Sequence, residues 1–339
     1  MRTCIKSVAR NARIKSSQIL RALGVGLLML GSVSASATYP DRPLTLVVPS
    51  PPGGSTDVMA RVLGEALSQR LGQPIVVENK SGGGGIVGTS YVLDRPADGY
   101  TMLLGISSKT VVNALQPTLS YQAIKDMTTV ALISRVPTVM VTSVHSTLPN
   151  FSALVTYMRS APGKLVWGIP GIGTAPHLTK HVLTDALKTQ VNEVQYRGSA
   201  PLHLDLLAGR VDVVVDSYTA LKPHIDAAKV TPVAVIGHSK IDALKSVPTL
   251  GELGVEAFTE VLFDGWNSID VKSGTAPERV ERLNQAIQNI LADPAFQQRA
   301  ADAGLVPFKP MSAAASQAFV EETSRTLSPV AASLAIAQP

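Results

Sequence analysis

Three short segments combine glycine with Ser and Thr hydroxyls, the residue types that hold an anion without covalent chemistry. They are residues 49–57, 168–177 and 196–201, called here the first, second and third loops. Each precedes a predicted helix, whose first N–H groups lack intrahelical partners and carry a partial positive charge. Glycine lets those N–H groups approach a ligand closely. The pattern indicates an anion site, with ordinary helix capping as the alternative for any single loop.

Four titratable side chains lie in or near these segments. Asp216 follows a predicted strand and is expected to accept a ligand hydroxyl or amine, to orient a loop, or to cap the next helix. His177 begins a predicted helix and is expected either to donate to a bound carboxylate or to cap. Lys109 and Arg197 are each expected either to pair with a second ligand carboxylate or to be solvated.

The glycine pattern Gly83-x-Gly85-x-x-Gly88 resembles the dinucleotide fingerprint only weakly. Residues 79–82 separate it from the preceding predicted strand, and it lies in the second strand–helix unit rather than the first. We therefore expect these glycines to allow close backbone packing or ligand approach.

Metal binding and nucleophilic catalysis are also disfavoured. His177 and His181 share a helix face, but no HExxH pattern surrounds them and Lys180 lies between. Ser55, His177 and Asp216 supply the residue types of a triad without a G-x-S-x-G elbow. The sequence therefore predicts no catalytic residues, no metal and no cofactor, and a protein that is not an enzyme.

Short apolar runs alternate with helical patterns along the chain, which predicts βαβ units and parallel sheets. Predicted strands are 44–48, 74–78, 101–105, 130–134, 138–143, 165–168, 193–196, 211–215 and 233–236. Predicted helices are 58–71, 82–93, 151–160, 175–187, 200–208, 219–228, 277–292, 294–303 and 313–324, with helices alone from residue 277. Ligands of such sheets bind where strands end and helices begin, which is where the three loops lie.

Residues 1–37 are typical of an export signal. A basic region without acidic residues precedes a short apolar stretch and the small-residue sequence Ala35-Ser36-Ala37, a cleavage pattern; an uncleaved membrane anchor is the alternative. This segment holds six of the 30 Lys and Arg residues and none of the 25 acidic residues, which leaves 24 basic and 25 acidic residues, a net charge of −1. We therefore expect a periplasmic protein that does not bind nucleic acid.

Cys4, the only cysteine, also lies in the predicted signal. The chain after it has no thiol for disulfides, cysteine-ligated metals or a cysteine nucleophile. The remaining residues, about 300, exceed what one core comfortably accommodates, which predicts two domains. We place lobe 1 at residues 38–140 plus 262–339 and lobe 2 at 141–261.

Taken together, motifs along nearly the whole chain resemble the Bug/TctC family, the periplasmic receptors of tripartite tricarboxylate transporters. They include Tyr39-Pro40-x-Arg42-Pro43, Val48-Pro49-x-Pro51-Pro52-Gly53-Gly54-x-x-Asp57, Leu71-Gly72-Gln73-Pro74, Ala97-Asp98-Gly99-Tyr100-Thr101, Gly173-Thr174-x-x-His177-Leu178, Tyr196-x-Gly198-Ser199-Ala200-Pro201, Val247-Pro248-Thr249 and Trp266-Asn267.

The resemblance implies a two-lobed periplasmic-binding-protein (Venus flytrap) fold of class α/β, with two mixed or parallel sheets flanked by helices and joined by hinge crossings. It implies a ligand carboxylate held by the first and second loops, partly through water. By position the ligand contacts would be Gly53, Gly54, Ser55, Thr56, Ser107, Ser108, Gly173, Thr174, His177, Gly198, Ser199 and Asp216. The chain departs from the family pattern at Ser50, at Ser107-Ser108-Lys109, at Arg197 and at Asp270-Val271-Lys272.

The resemblance thus implies a monomeric receptor that captures a small carboxylate (a di- or tricarboxylate or an aromatic carboxylate) and delivers it to the membrane subunits of a tripartite tricarboxylate transporter. Closure of the two lobes on the anion would signal occupancy. The alternatives are a ligand-sensing partner of a membrane sensor kinase and a periplasmic hydrolase.

Overall fold

The predicted alternation of strands and helices builds two β-sheets. The computed structural model describes residues 39–237, 240–258 and 265–336, so the predicted signal peptide lies outside the described residues. The chain divides after Asp41: Tyr39–Asp41 are the described part of a short N-terminal unit, and both sheets lie within Arg42–Pro339.

The elements follow the chain in strand–helix order. The first half contains β1 (Leu44–Val48), α1 (Ser55–Leu71), β2 (Ile75–Asn79), α2 (Ile86–Leu93), β3 (Thr101–Ile106), α3 (Val112–Leu115), α4 (Ala123–Asp126), β4 (Met127–Val136), β5 (Thr138–Ser143) and α5 (Phe151–Ser160). The second half contains β6 (Val166–Ile169), α6 (Ala175–Ala186), β7 (Asn192–Gln195), α7 (Ser199–Leu207), β8 (Val213–Ser217), α8 (Tyr218–Asp226), β9 (Val230–Ile236), β10 (Gly265–Lys272), α9 (Pro277–Leu291), α10 (Pro294–Asp302), β11 (Val306–Pro307) and α11 (Ala313–Ile336).

The first sheet has the strand order β11–β4–β10–β3–β1–β2. Strand β1 pairs in parallel with β2 and β3, with Leu44 opposite Ile75 and Thr45 opposite Thr101. Strand β10 runs antiparallel between β3 and β4. Because β1 and β3 are parallel, the segments that follow them leave the sheet at the same edge.

The second sheet has the order β7–β6–β8–β5–β9. Strand β6 pairs in parallel with β7 and β8, and β5 is antiparallel to β8 and β9. Both sheets are therefore mixed, and the fold is the two-lobed α/β class that the sequence predicts. The ends of β6, β7 and β8 share one edge, where the second and third loops begin.

Both faces of the second sheet are buried. Val213 and Val215 lie in a cluster with Trp167, whereas Val214 lies in a cluster with Leu202 on the opposite face. A strand covered by helices on both sides has no polar face, which explains its uninterrupted run of valines.

The chain crosses from the first sheet to the second at Pro137, the single residue between β4 and β5. The return lies between β9 and β10, and the crossing predicted near residue 262 is outside the described residues. The lobe boundaries proposed from the sequence stay a prediction.

The carboxyl-terminal part differs from the expectation in two respects. A short strand, β11, interrupts the helices, so the prediction of helices alone after residue 277 was wrong. Helix α11 continues to Ile336, well past the predicted end at residue 324. Among the described residues, no helix combines the length and apolar character required to cross a membrane.

Candidate functional site

The first loop joins β1 to α1 and is held in shape by Asp57. The buried Asp57 carboxylate accepts hydrogen bonds from the Gly53 N–H (3.0 Å) and from Asn79 Nδ2 (2.9 Å). It also pairs with the Arg61 guanidinium, and Asn79 donates to the Ser50 carbonyl. Burial opposes ionisation, but these donors outweigh it and lower the pKa of Asp57. Asp57 is therefore an internal anchor of the loop.

The second loop is organised by the ring of His177. Its Nδ1 accepts a hydrogen bond from the Gly173 N–H at 3.0 Å, and the ring is buried. The Thr174 hydroxyl donates to the Gly171 carbonyl at 2.7 Å. Burial lowers the pKa of His177, although the nearby Glu193 carboxylate opposes the shift. The neutral ring carries its proton on Nε2, and Nδ1 is occupied within the loop.

This arrangement bears on the metal alternative. The Nδ1 atom of His177 is engaged by Gly173, and the neighbouring Lys180 forms an ion pair with Glu193 at 2.6 Å. The His181 ring lies 3.3 Å from the Ser333 hydroxyl. Within the described ranges, no three potential metal-ligating side chains form a group.

The third loop is bonded to the second. The Tyr196 N–H donates to the Ile169 carbonyl (2.9 Å), and the Gly198 N–H donates to the Pro170 carbonyl (3.0 Å). The Tyr196 hydroxyl donates to Asp205, and burial together with this bond raises the pKa of Tyr196 to about 12. These bonds extend the pairing of β6 and β7, so the second and third loops leave the sheet side by side.

The helices that follow the three loops begin without a side-chain cap. The N-cap residues of α1, α6 and α7 are Gly54, Thr174 and Gly198, and in the described structure no side chain of these residues caps the helix. By contrast, Asn150 and Ser217 cap α5 and α8 through their side chains. Capping by Ser or Thr therefore does not explain the composition of the three loops.

Ser107 and Ser108 occupy the turn after β3, at the same edge as the first loop. The Ser108 hydroxyl is buried and donates to the Gly84 carbonyl at 2.7 Å. The Ser107 carbonyl accepts from the Thr110 hydroxyl, and the Ser107 side chain is half-buried. Of the two residues, Ser107 is the more accessible to a ligand.

The loops of the two sheets meet. A β-carbon built on Gly84 would lie 2.7 Å from the carbonyl oxygen of Ile172 in the second loop. One built on Gly198 would lie 3.5 Å from Pro51 Cγ in the first loop. A β-carbon on Gly88 would lie 2.8 Å from Pro49 Cβ, so the Gly83–Gly88 pattern lies where backbones pack closely. The first loop thus approaches the third loop, and the segment that carries Gly84 approaches the second loop.

The predicted contacts differ in accessibility. Gly53 is exposed, Gly173, Ser108, His177 and Asp216 are buried, and half-buried positions are Gly54, Ser55, Thr56, Ser107, Thr174, Gly198 and Ser199. The half-buried group includes residues of all three loops.

Asp216 is paired inside the protein. Its carboxylate lies 3.0 Å from His203 Nε2 and accepts from the Ser217 N–H at 2.7 Å. The helix cap is Ser217, so the expectation that Asp216 caps α8 was wrong. Because Asp216 pairs with His203, and His177 with Gly173, the triad alternative has no hydrogen bonds to support it.

Lys109 is buried and forms an ion pair with Asp270 on β10, with 2.6 Å between Nζ and Oδ1. The ammonium also donates to the hydroxyls of Thr129 (3.0 Å) and Ser268 (3.3 Å). Burial lowers the pKa of Lys109, and Asp270 opposes the shift. The expectation of a solvated or ligand-pairing Lys109 was wrong. The sequence contained a signal for this ion pair, because Lys109 and Asp270 are both departures from the family pattern.

Two cavities lie near these elements. One, of about 500 Å³, lies between α3, α4 and α11 and is lined by Thr110, Asn113, Lys125, Glu321 and Ser324 among others, with no residue of the three loops. The other, of about 10 Å³, lies beneath Pro49, Gly84 and Ser108. The chemistry of the loops, rather than cavity size, locates the candidate site.

Comparison with known proteins gives a consistent result. The family described as "Tripartite tricarboxylate transporter family receptor" matches residues 59–335. Protein BugT of Bordetella pertussis (strain Tohama I) is 33% identical over 295 residues, which cover 86% of this chain and 90% of BugT.

Solved structures agree with the sequence relatives. R. palustris Rpa4515 with adipate is 32% identical, with a TM-score of 0.81 over 86% of this chain and 97% of that one. MatC from Rhodopseudomonas palustris with bound malate is 27% identical, with a TM-score of 0.79 over 86% of this chain and 100% of that one.

Proposed function

Because the chain belongs to the tripartite tricarboxylate transporter receptor family, we propose that it is a periplasmic receptor that captures a small carboxylate between the two sheets. The observation that carries this proposal is the meeting of three loops whose helices begin without side-chain caps. Their N–H groups offer donors and partial positive charge to one anion.

The chemistry of the loops supports binding by backbone groups. Asp57 and His177 are both occupied in fixing the loops, so the N–H groups near Gly54 and Thr174 and the hydroxyls of Ser55 and Thr56 supply the donors. Hydrogen bonds to an ionised group contribute about 1.5–3 kcal/mol each. Micromolar affinity corresponds to about 8 kcal/mol, and association has a cost of its own, so donors from more than one loop must bind the anion together.

The structural relatives support a carboxylate as the ligand class, because one contains adipate and another malate. We extend the proposal to location and partner: residues 1–37 direct export, and the closed receptor delivers its ligand to the membrane subunits of a tripartite transporter. Deletion of the gene is expected to abolish uptake of the labelled ligand, and uptake that persists would contradict the transport role.

Thermal unfolding with a panel of mono-, di- and tricarboxylates tests the capture. At least one acid is expected to raise Tm in a concentration-dependent manner, because ligand binding to the folded state stabilises it by mass action. The uncharged amide of the same acid is the matched control and is expected to have no effect. A panel without any shift, together with turnover of a substrate, would contradict the receptor function.

A further inference from the structure

We infer that Arg197 binds a second carboxylate of the ligand, so that the receptor selects dicarboxylates. This inference rests on the proposed function, since it adds a second contact to the same site. It makes Arg197 the specificity-determining residue, while the loop N–H groups hold the first carboxylate.

The other cationic side chains near the loops are already paired, which leaves Arg197 as the candidate partner of a second ligand carboxylate. Lys109 is buried against Asp270, and Lys80 pairs with Glu78 at 3.2 Å. Arg61 and Lys180 are likewise engaged, by Asp57 and Glu193. The Arg197 side chain, in contrast, is exposed and has no hydrogen bond or ion pair to any described residue.

The carboxylates near the three loops also have partners within the protein. Asp57 pairs with Arg61, Asp216 lies against His203, and Glu193 pairs with Lys180. These three carboxylates therefore do not compete with a ligand for the Arg197 guanidinium, and a guanidinium binds a carboxylate through two parallel hydrogen bonds.

Arg197 follows β7 in the third loop, which is hydrogen-bonded to the second loop. Glu193 contacts His177 and Lys180 of α6, and Gln195 donates to Glu193 on the same face. Arg197 lies two residues beyond the end of β7, in the bend between Tyr196 and Gly198, whose N–H groups donate to the Ile169 and Pro170 carbonyls of the second loop. Tyr196, on the opposite side, packs against the cluster that contains Leu202.

The third loop brings Arg197 close to the first loop. A β-carbon built on Gly198, the residue after Arg197, would lie 3.5 Å from Pro51 Cγ of the first loop. Arg197 therefore lies beside the contact between the first and third loops.

Calorimetric titration with matched pairs of acids tests the inference. Straight-chain α,ω-dicarboxylates of four to eight carbons, adipate among them, are compared with the monocarboxylates of equal length. We expect the wild type to bind the best dicarboxylate at least about tenfold more tightly than its monocarboxylate, as one charge-assisted contact allows. Arg197→Gln is expected to abolish that difference while the monocarboxylate affinity stays unchanged, and Arg197→Lys to retain part of it.

Arg159→Gln is the matched control. Arg159 is an exposed arginine in the last turn of α5, just before β6, and so at the opposite edge of the same sheet. Its substitution changes the net charge equally and is expected to leave both affinities unchanged. An Arg197→Gln variant that keeps the preference for dicarboxylates, or loses both acids equally, overturns the inference and leaves the proposed function intact. A wild type that binds no carboxylate overturns the proposed function itself.

Discussion

At the scale of single residues, the buried ion pair between Lys109 and Asp270 limits which charged groups the candidate site can offer to a ligand. It lies within the first sheet, where Asp270 has no exposed surface and Lys109 retains 7%. Gly105 makes room for the carboxylate, because a β-carbon there would lie 2.0 Å from Asp270 Oδ2. The Lys109 ammonium, in the turn after β3, is therefore not available to a ligand.

We expect each single substitution in this pair to be strongly destabilising. Lys109→Met leaves a buried carboxylate and Asp270→Asn leaves a buried ammonium, and loss of one partner of a buried pair costs about 3–5 kcal/mol. The double variant is expected to cost clearly less than the sum, because no charge is then uncompensated. Chemical denaturation of the four proteins measures this coupling.

An exposed pair of the same residue types is the control for this cycle. Lys222 and Asp226 lie one turn apart on α8, with 2.5 Å between them and both side chains at least one-third exposed. Lys222→Met is expected to change the free energy of unfolding by less than about 1 kcal/mol. Equal effects at Lys109 and Lys222 would show that Lys109 is not held in a low-dielectric environment.

At the scale of elements, the sequence located most strands and helices because their signals are local. Helix α5 begins and ends at the predicted residues, since Asn150 caps it and its apolar positions follow the helical period. The start of α1 was predicted three residues late, because Ser55, Thr56 and Asp57 are residue types that favour the N-cap, whereas here they form the first turn of the helix.

Strand β10 shows what such signals miss. Its residues Asn267, Ser268 and Asp270 are buried but polar, so the segment shows neither an apolar run nor an alternating pattern. Their partners on other strands and turns, including Lys109 and Ser134, are more than 130 residues away in the chain. Likewise, the loops of the site were predicted from composition, whereas the pairing of Asp216 with His203 depends on how α7 packs on the sheet.

The first turn of α6 makes stability dependent on pH. Burial lowers the pKa of His177 in the folded protein, so the unfolded chain binds more protons below its ordinary pKa of about 6.5. Stability is therefore expected to be full above pH 6.5 and to fall as the pH decreases from there toward the folded pKa. One such proton changes the free energy of unfolding by at most about 1.4 kcal/mol per pH unit.

His177→Gln tests this origin, because its amide oxygen can still accept from the Gly173 N–H but has no proton to gain. We expect the variant to be less stable than the wild type at pH 8 and the gap to narrow toward pH 5, as measured by urea denaturation across that range. His181 and His224, whose pKa values burial also lowers, are unchanged in both proteins. If the difference in stability between the two proteins is constant with pH, the pH dependence of stability arises from His181 and His224 instead of His177.

At the scale of the whole molecule, contacts on two sides join the elements of the two sheets. On one side, the segment between β2 and α2 meets the second loop through Gly84 and Ile172. On another side, the Ser324 hydroxyl of α11 donates to the Thr110 carbonyl after β3, while Leu327, one turn later, packs in the cluster that contains Trp167 of the second sheet. Helix α11 therefore links the turn that carries Ser107 and Ser108 to the core of the second sheet.

The approach of Gly84 to Ile172 gives a test of closure. In Gly84→Ala a β-carbon would lie 2.7 Å from the Ile172 carbonyl oxygen, a separation that real β-carbons do not adopt, so the segment that carries Gly84 and the second loop must move apart. We expect the variant to have a larger radius of gyration in small-angle X-ray scattering. We also expect a weaker affinity for carboxylates, because the arrangement in which the loops of the two sheets reach the ligand together is less populated.

Gly163→Ala separates this effect from backbone strain. Gly163 has a similar positive φ (+74° against +65° at Gly84), yet a β-carbon there meets no atom within 4 Å. Both substitutions place alanine in the left-handed region at a cost of about 1–2 kcal/mol, so both lower stability, but only Gly84→Ala separates the loops. If both variants keep the scattering profile and the affinity of the wild type, the contact between Gly84 and Ile172 does not limit closure, and ligand capture must depend on the other loop contacts.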